Sequence, residues 1–232
     1  MKALILISIT ALAISVSQAQ DKSEVRNDLN QLRTTYEKIQ SFKVDITYSE
    51  YNAYVGGNRI SFHQGHMARN KDNYRIELPG QKTIANSEVV VVKNDEEKLV
   101  LITRNDHSYK SPVMDIDLGK VLDYTNSYKP LLNLDAGYKG YKFEFINSTY
   151  QFLDLIFNEQ TGLIHKIIVY GKSMDEDGKS VEGRLEILYT NMNSSPNLNS
   201  SDFSVSGIVI KKDNEYQLNG SLASYRLIDQ TH

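Results

Sequence analysis

From Phe42 onward, apolar side chains recur with a period of two, and in several segments they fill both phases of it. Val44, Ile46 and Tyr48 alternate with Asp45, Thr47 and Ser49, which predicts a strand running to Val55. Gly56-Gly57-Asn58 supplies residues that accept the positive φ of a hairpin turn. Ile60, Phe62 and Gln64 return opposite Ser61, His63 and Gly65, and Tyr74, Ile76 and Leu78 stop at Pro79-Gly80. These strands have one apolar face. Val89–Val92, Leu99–Ile102, Phe152–Phe157 and Ile167–Val169 are apolar on both, so they need cover on both sides. Further hairpin strands are predicted at Tyr141–Ile146, Tyr150–Phe157, Leu163–Tyr170 and Arg184–Thr190, joined by polar turns such as Asn158–Gly162. Short turns join antiparallel strands, so the expected fold is α+β and dominated by an antiparallel sheet.

Two segments are available as helical cover. Asp21 and Glu24 form a capping box, and Val25, Leu29, Leu32, Tyr36 and Ile39 follow at spacings of four and three. That stripe is expected to pack on the sheet. A second helix is predicted between Asp117 and Tyr128, with Leu118, Val121, Leu122 and Tyr128 on one face and Pro130 ending it. The chain closes with alternation at Ile208–Ile210, Tyr216–Leu218 and Ser224–Ile228, after a serine- and asparagine-rich loop over Asn193–Asp202.

Met1 and Lys2, an apolar run from Ala3 to Val16, and Ser17-Gln18-Ala19 read as a cleavable signal peptide over residues 1–19. The run is too short to span a bilayer. The predicted product is a single domain over 20–232, located in the periplasm. It has no cysteine for disulfides or lipid attachment, so its stability must come from the core. With a net charge of −3 and no basic cluster, it has no footprint for nucleic acid. The 15 tyrosines suit strands and half-buried walls.

Catalytic chemistry needs a nucleophile beside a base, or a metal with an open position. His63 and His66 stand at a ligand-like spacing, but residues three apart on a strand point to opposite faces. Asp175-Glu176-Asp177-Gly178 lacks the later glutamate of a calcium loop and reads as a turn. Gly137-Tyr138-Lys139-Gly140 lacks the strand-to-helix context of a phosphate loop, and Asn147-Ser148-Thr149 is a short acceptor-like match. The sequence predicts no enzyme, no catalytic residue, no metal and no cofactor.

The step from helix to strand at Glu37-Lys38-Ile39-Gln40-Ser41-Phe42-Lys43-Val44 resembles that of the periplasmic lipoprotein carriers of the LolA type. Gly65 in the second strand, the aromatic strand Tyr74–Leu78, Thr161–Lys166 after a hairpin and Asn199–Phe203 agree in order, over roughly residues 24–206. The resemblance implies an incompletely closed barrel, its concave face covered by the N-terminal helix and a short lid helix. It also implies a cavity for the acyl chains of lipoproteins or another lipid, with envelope proteins as further partners of a monomer. Doubly apolar strands with few helices would then be explained by lining that awaits a ligand. Expected lining residues are Val44, Ile46, Tyr48, Phe62, Ile76, Leu101, Phe143, Leu155, Ile167 and Ile187, with Leu118, Val121 and Leu122 as the lid. Arg69 is the counterpart of the family's lid-holding arginine, although Asn70 follows it where the family has proline. Residues 207–232 extend beyond the resemblance as an added hairpin. The other reading of these features is an interaction or lipid-sensing module of an envelope assembly.

Overall fold

The computed structural model describes residues 23–105, 121–145, 150–174 and 180–231. The predicted leader, Asp21, Leu118, Asn147-Ser148-Thr149 and the Asp175–Gly178 turn lie outside them. Helix α1 covers residues 23–38. A first run of strands follows: β1 (Ser41–Tyr51), β2 (Arg59–Asn70), β3 (Asn73–Leu78), β4 (Gln81–Ala85), β5 (Val89–Asn94) and β6 (Leu99–Arg104). A second run comprises β7 (Thr125–Pro130), β8 (Tyr138–Phe145), β9 (Tyr150–Asn158), β10 (Ile164–Met174) and β11 (Ser180–Asn193). The chain ends in β12 (Val209–Lys212), β13 (Glu215–Leu218) and β14 (Arg226–Gln230).

Each run is a meander, and antiparallel pairing of β1 with β11 welds the two into one sheet, ordered β14-β6-β5-β4-β3-β2-β1-β11-β10-β9-β8-β7. Val90 of β5 and Phe143 of β8 belong to one buried cluster although eight strand spacings separate them. Laid flat they would stand about 38 Å apart, since neighbouring strands are ~4.8 Å apart. The sheet therefore curls around its inner face. Its edges, β14 and β7, are not paired to each other, so the barrel is incompletely closed.

Val25, Leu29 and Leu32 of α1 are buried in the inner-face cluster, and Tyr36 and Ile39 pack against it. The helical stripe packs on the sheet as its periodicity predicts. Polar contacts fix its position: Lys139 Nζ lies 2.5 Å from Glu24 and 2.7 Å from Asp28, and the Tyr141 hydroxyl donates to Asp28. At the other end of α1 the Ile164 N–H donates to the Tyr36 hydroxyl oxygen at 2.9 Å. Burial pushes Tyr36 up to about 12 despite that bond, and burial raises Tyr141 and Tyr189 further in the same direction. A tyrosine ionises near pH ~10 in the unfolded chain, so these three stabilise the fold fully below that pH. Their contribution is lost as pH rises through the folded values. The melting temperature is expected to fall between pH ~10 and ~12, and Tyr36→Phe to flatten part of the fall. A melting temperature independent of pH over that window would contradict this account.

A second buried cluster lies on the outer face. Ala68, Ile84, Val89, Val91, Val100 and Ile102 of β2 and β4–β6 pack there beneath Phe203, Ile208 and Val209. Asn199 caps the turn over Ser200–Phe203, and a reciprocal bond from its own N–H to the Asp202 carboxylate locks Phe203 inward. In β5 this buries both phases, with Val90 and Val92 in the inner-face cluster that α1 joins and Val89 and Val91 in the cluster under the C-terminal segment. Strands β5 and β6 are thus covered on their outer face by the chain itself, so for Val89–Val92 and Leu99–Ile102 that second face does not await a ligand. The C-terminal alternation also forms more than a hairpin. Only β12 and β13 pair with each other, while β14 adds to the main sheet parallel to β6.

From Val121 on the second predicted helix is corrected as well, its first residues, 117–120, lying outside the described residues. A 3-10 turn at Val121–Asp123 leads directly into β7, which pairs with β8. The register shift between Thr125 and Ser127 inserts one residue, so Thr125 and Tyr128 are half-buried at a spacing of three. A bulged strand therefore shows the spacing of a helix. Strand β4 escaped the sequence reading because Lys82-Thr83-Ile84-Ala85 is short and only half apolar.

Candidate functional site

Nine of the ten expected lining residues face inward. The register places Val44, Ile46 and Tyr48 of β1 beside Tyr189 and Ile187 of β11, with Ile167, Leu155 and Phe143 continuing the row and Ile76 and Leu101 beyond β2. Phe62 is the exception. It pairs with Ser49 and so faces outward, because Met67 opposite Val44 and Gly65 opposite Ile46 set the inward phase of β2. Val44, Ile46, Phe143, Leu155 and Ile167 are sealed beneath α1 and Val121, and Tyr48, Leu122 and Ile187 are half-buried around them. Arg69 donates from Nε to the Lys71 carbonyl at 2.7 Å, near the C-terminal end of α1.

The half of the inner face beyond α1 is open. Val169 and Leu185 form the walls of a trough of about 420 Å³ there, with Glu50, Tyr51, Ile60 and Tyr150 around them. Its floor is bare because Gly171 of β10 pairs directly with Gly183 of β11. Two facing glycines remove the side chains that would otherwise fill this position, and the pair leaves a depression beside Val169 and Leu185, bordered also by Glu50, Lys172 and Arg184. Ile60 and Tyr150 on the rim are 64% and 58% exposed. Apolar periodicity does not reveal this site, because the space is made by residues without side chains.

Tyr51 and Arg184, which also border the trough, are locked at the outer face. Arg184 lies 3.8 Å above the Tyr51 ring, donates from Nη1 to the carbonyls of Ala53 and Gly56, and bonds Glu186 through Nε. Burial alone would raise Glu186, but hydrogen bonds from Lys166 and Arg184 hold it below the usual carboxylate range. Tyr54 packs edge-on against Phe152 and Tyr170, Lys142 sits 4.0 Å above the Tyr170 ring, and the Tyr170 hydroxyl donates to buried Asp154. These bonds hold the 52–58 loop against the sheet and its Val55 outward, 90% exposed.

Among the described residues the titratable groups elsewhere pair structurally. His66 Nδ1 lies 2.6 Å from Asp45, which Asn191 and then His66 hold below its ordinary value, but no described hydroxyl completes a relay. His63 pairs with Tyr48 and His66 with Asp45, so the two histidines occupy opposite faces. Among the described residues no three His, Asp or Glu side chains gather as a metal site. A second cleft of about 800 Å³ lies between the Asn86–Glu88 turn and the C-terminal segment, lined by serines and by Glu88, Lys211 and Tyr216. Its polar groups largely bond one another, as Ser204 with Ser206 and Asn86 with the amides of Glu88 and Val89.

No family model and no curated protein matches the chain. Among solved structures it is similar to an uncharacterized conserved protein from Thermus thermophilus, at 8% identity and a TM-score of 0.49 over 89% of this chain and 99% of that one. It is similar to a chain of the MucA/MucB complex structure of Pseudomonas aeruginosa, at 14% identity and a TM-score of 0.42 over 84% of this chain and 63% of that one. A LolA superfamily protein from Nitrosomonas europaea matches at 15% identity and a TM-score of 0.35, over 78% of this chain and 97% of that one.

Proposed function

We propose that this chain is a non-catalytic binding module of the bacterial envelope, acting in the periplasm, which takes one apolar group of a partner or lipid into the trough. The observation that carries the reading is the division of the inner face, sealed under α1 at one end and open over Gly171 and Gly183 at the other. A space of about 420 Å³ is at the small end of ligand sites, which span roughly 300–1,000 Å³. It suits a single chain or side-chain cluster better than bulk lipid cargo. An environment-sensitive fatty acid should bind the parent protein, and Val169→Trp, which fills the trough, should weaken that binding by at least about tenfold. Unchanged binding in a folded Val169→Trp variant would remove the trough from the account. Mass spectrometry of organic extracts would identify what the protein carries.

A carrier that opens to hold acyl chains is the second reading, favoured by the half-burial of Leu122 beside sealed Val121. On this reading Val121 and Leu122 cover the inner face reversibly. Leu118→Ala with Leu122→Ala would then speed release of the fluorescent fatty acid while lowering the melting temperature little.

A further inference from the structure

Strand β2 is twelve residues long and its outer neighbour β3 only six. Along its whole length β2 pairs with β1, but only His66–Asn70 pair with β3. The sheet forks at Gly65, where the end of β3 comes so close that a Cβ would stand 2.0 Å from the Glu77 carbonyl oxygen. Beyond the fork, Arg59–Gln64 keep a partner on one side only, and among the described residues no backbone hydrogen bond outside the β1 ladder engages them. An unpaired strand edge is a row of amide and carbonyl groups that an extended peptide can complete.

Each terminal edge of this sheet carries two guarding residues, whereas the free stretch of β2 carries one charge, Arg59. Edge strand β7 carries Lys129 and Pro130, and β14 carries Arg226 and Asp229, the charges and proline that discourage strand addition. The free stretch of β2 has no lysine and no proline, and it shows Ile60 and outward-facing Phe62 to solvent, 64% and 44% exposed. The Arg59 guanidinium is held 4.4 Å above the Phe62 ring, and among the described residues no carboxylate pairs with it. The register shift at Tyr51, which pairs with Arg59 and leaves Ile60 extra, brings this cation alongside the aromatic ring.

We infer that the free stretch of β2 is a strand-addition site for an extended acidic segment of a partner polypeptide. The partner's backbone completes the unpaired ladder, an apolar side chain lies beside Phe62, and a carboxylate meets Arg59. This goes beyond the reading of the trough and does not depend on what fills it. The probes are two capped heptapeptides with valine at alternate positions, one with glutamate and one with lysine between them. The glutamate peptide is expected to slow amide exchange of residues 59–64 by at least about tenfold, and the lysine peptide to bind several-fold more weakly. Arg59→Gln should abolish the difference between them, and Phe62→Lys should abolish binding of both. Both side chains are exposed, and an unchanged melting temperature would verify that the variants fold. Absence of protection by either peptide at millimolar concentration overturns the inference. So does equal binding of the two, or protection that appears on concentrating the protein alone, which would identify a second copy as the occupant. Fatty-acid binding is expected to survive Arg59→Gln, and peptide binding to survive Val169→Trp, so this site and the trough fail separately.

Discussion

Gly65→Ala is expected to cost about 3 kcal/mol or more of stability, although it adds one methyl group. The new Cβ would stand 2.0 Å from the Glu77 carbonyl oxygen and 2.7 Å from Leu78 Cδ2. A flexible side chain can retreat, but a carbonyl within the β2–β3 fork cannot move without breaking the His66–Glu77 pairing next to it. Gly207→Ala is the control, since nothing lies within 4 Å of the added atom. Urea unfolding of the two variants would measure the contrast. Equal midpoints would show that the fork is soft and that Gly65 is dispensable.

Phe203→Ala should be comparably damaging, costing about 3–5 kcal/mol, the range for emptying a fully buried phenylalanine site. Phe203 is 1% exposed and closes the outer-face cluster over Val89, Val91, Val100 and Ile102. Its ring is held by a capped turn, so the neighbouring chain has little freedom to collapse into the vacancy. Removal of residues 199–231 would be worse, exposing an apolar surface on four strands and leaving the β6 edge unpaired. Thermal melting and solubility measure both changes. A stable, soluble truncation would mean that the outer-face packing contributes little.

The sequence made legible those elements whose packing is local. In α1, four- and three-residue spacing from Val25 to Ile39 led to the observed burial, since one stripe on a helix has only one place to go. The inward row of β1 followed from alternation in the same way. Phe62 failed because alternation says which residues share a face, while the choice of face rests on a register set by Met67 and Gly65 five and three residues away. The segment Thr125–Tyr128 failed because a bulge stretches a two-residue period to three. The C-terminal cover was unreadable for a third reason. Ile208 and Val209 show that a surface is buried, but nothing local to them names the remote strands they cover. The trough was hidden because Gly171 and Gly183 mark it by what they lack.

The pairing of β1 with β11 also has a consequence for how the protein comes into being. The two strands are neighbours in the sheet but far apart in the chain, with Asp45 against Thr190, about 145 residues on. A ribosome delivers β1 and the apolar stripe of α1 first, and their partners on β9–β11 only near the end of synthesis. Strand β14 and Phe203, which close the opposite side, follow later still. Until those residues emerge, the early half presents bare valines and a strand edge to whatever is nearby, the condition under which nascent chains aggregate. Maturation of this protein should therefore depend on a holding chaperone, and slowing roughly the last forty codons should lower its soluble yield more than slowing the first forty.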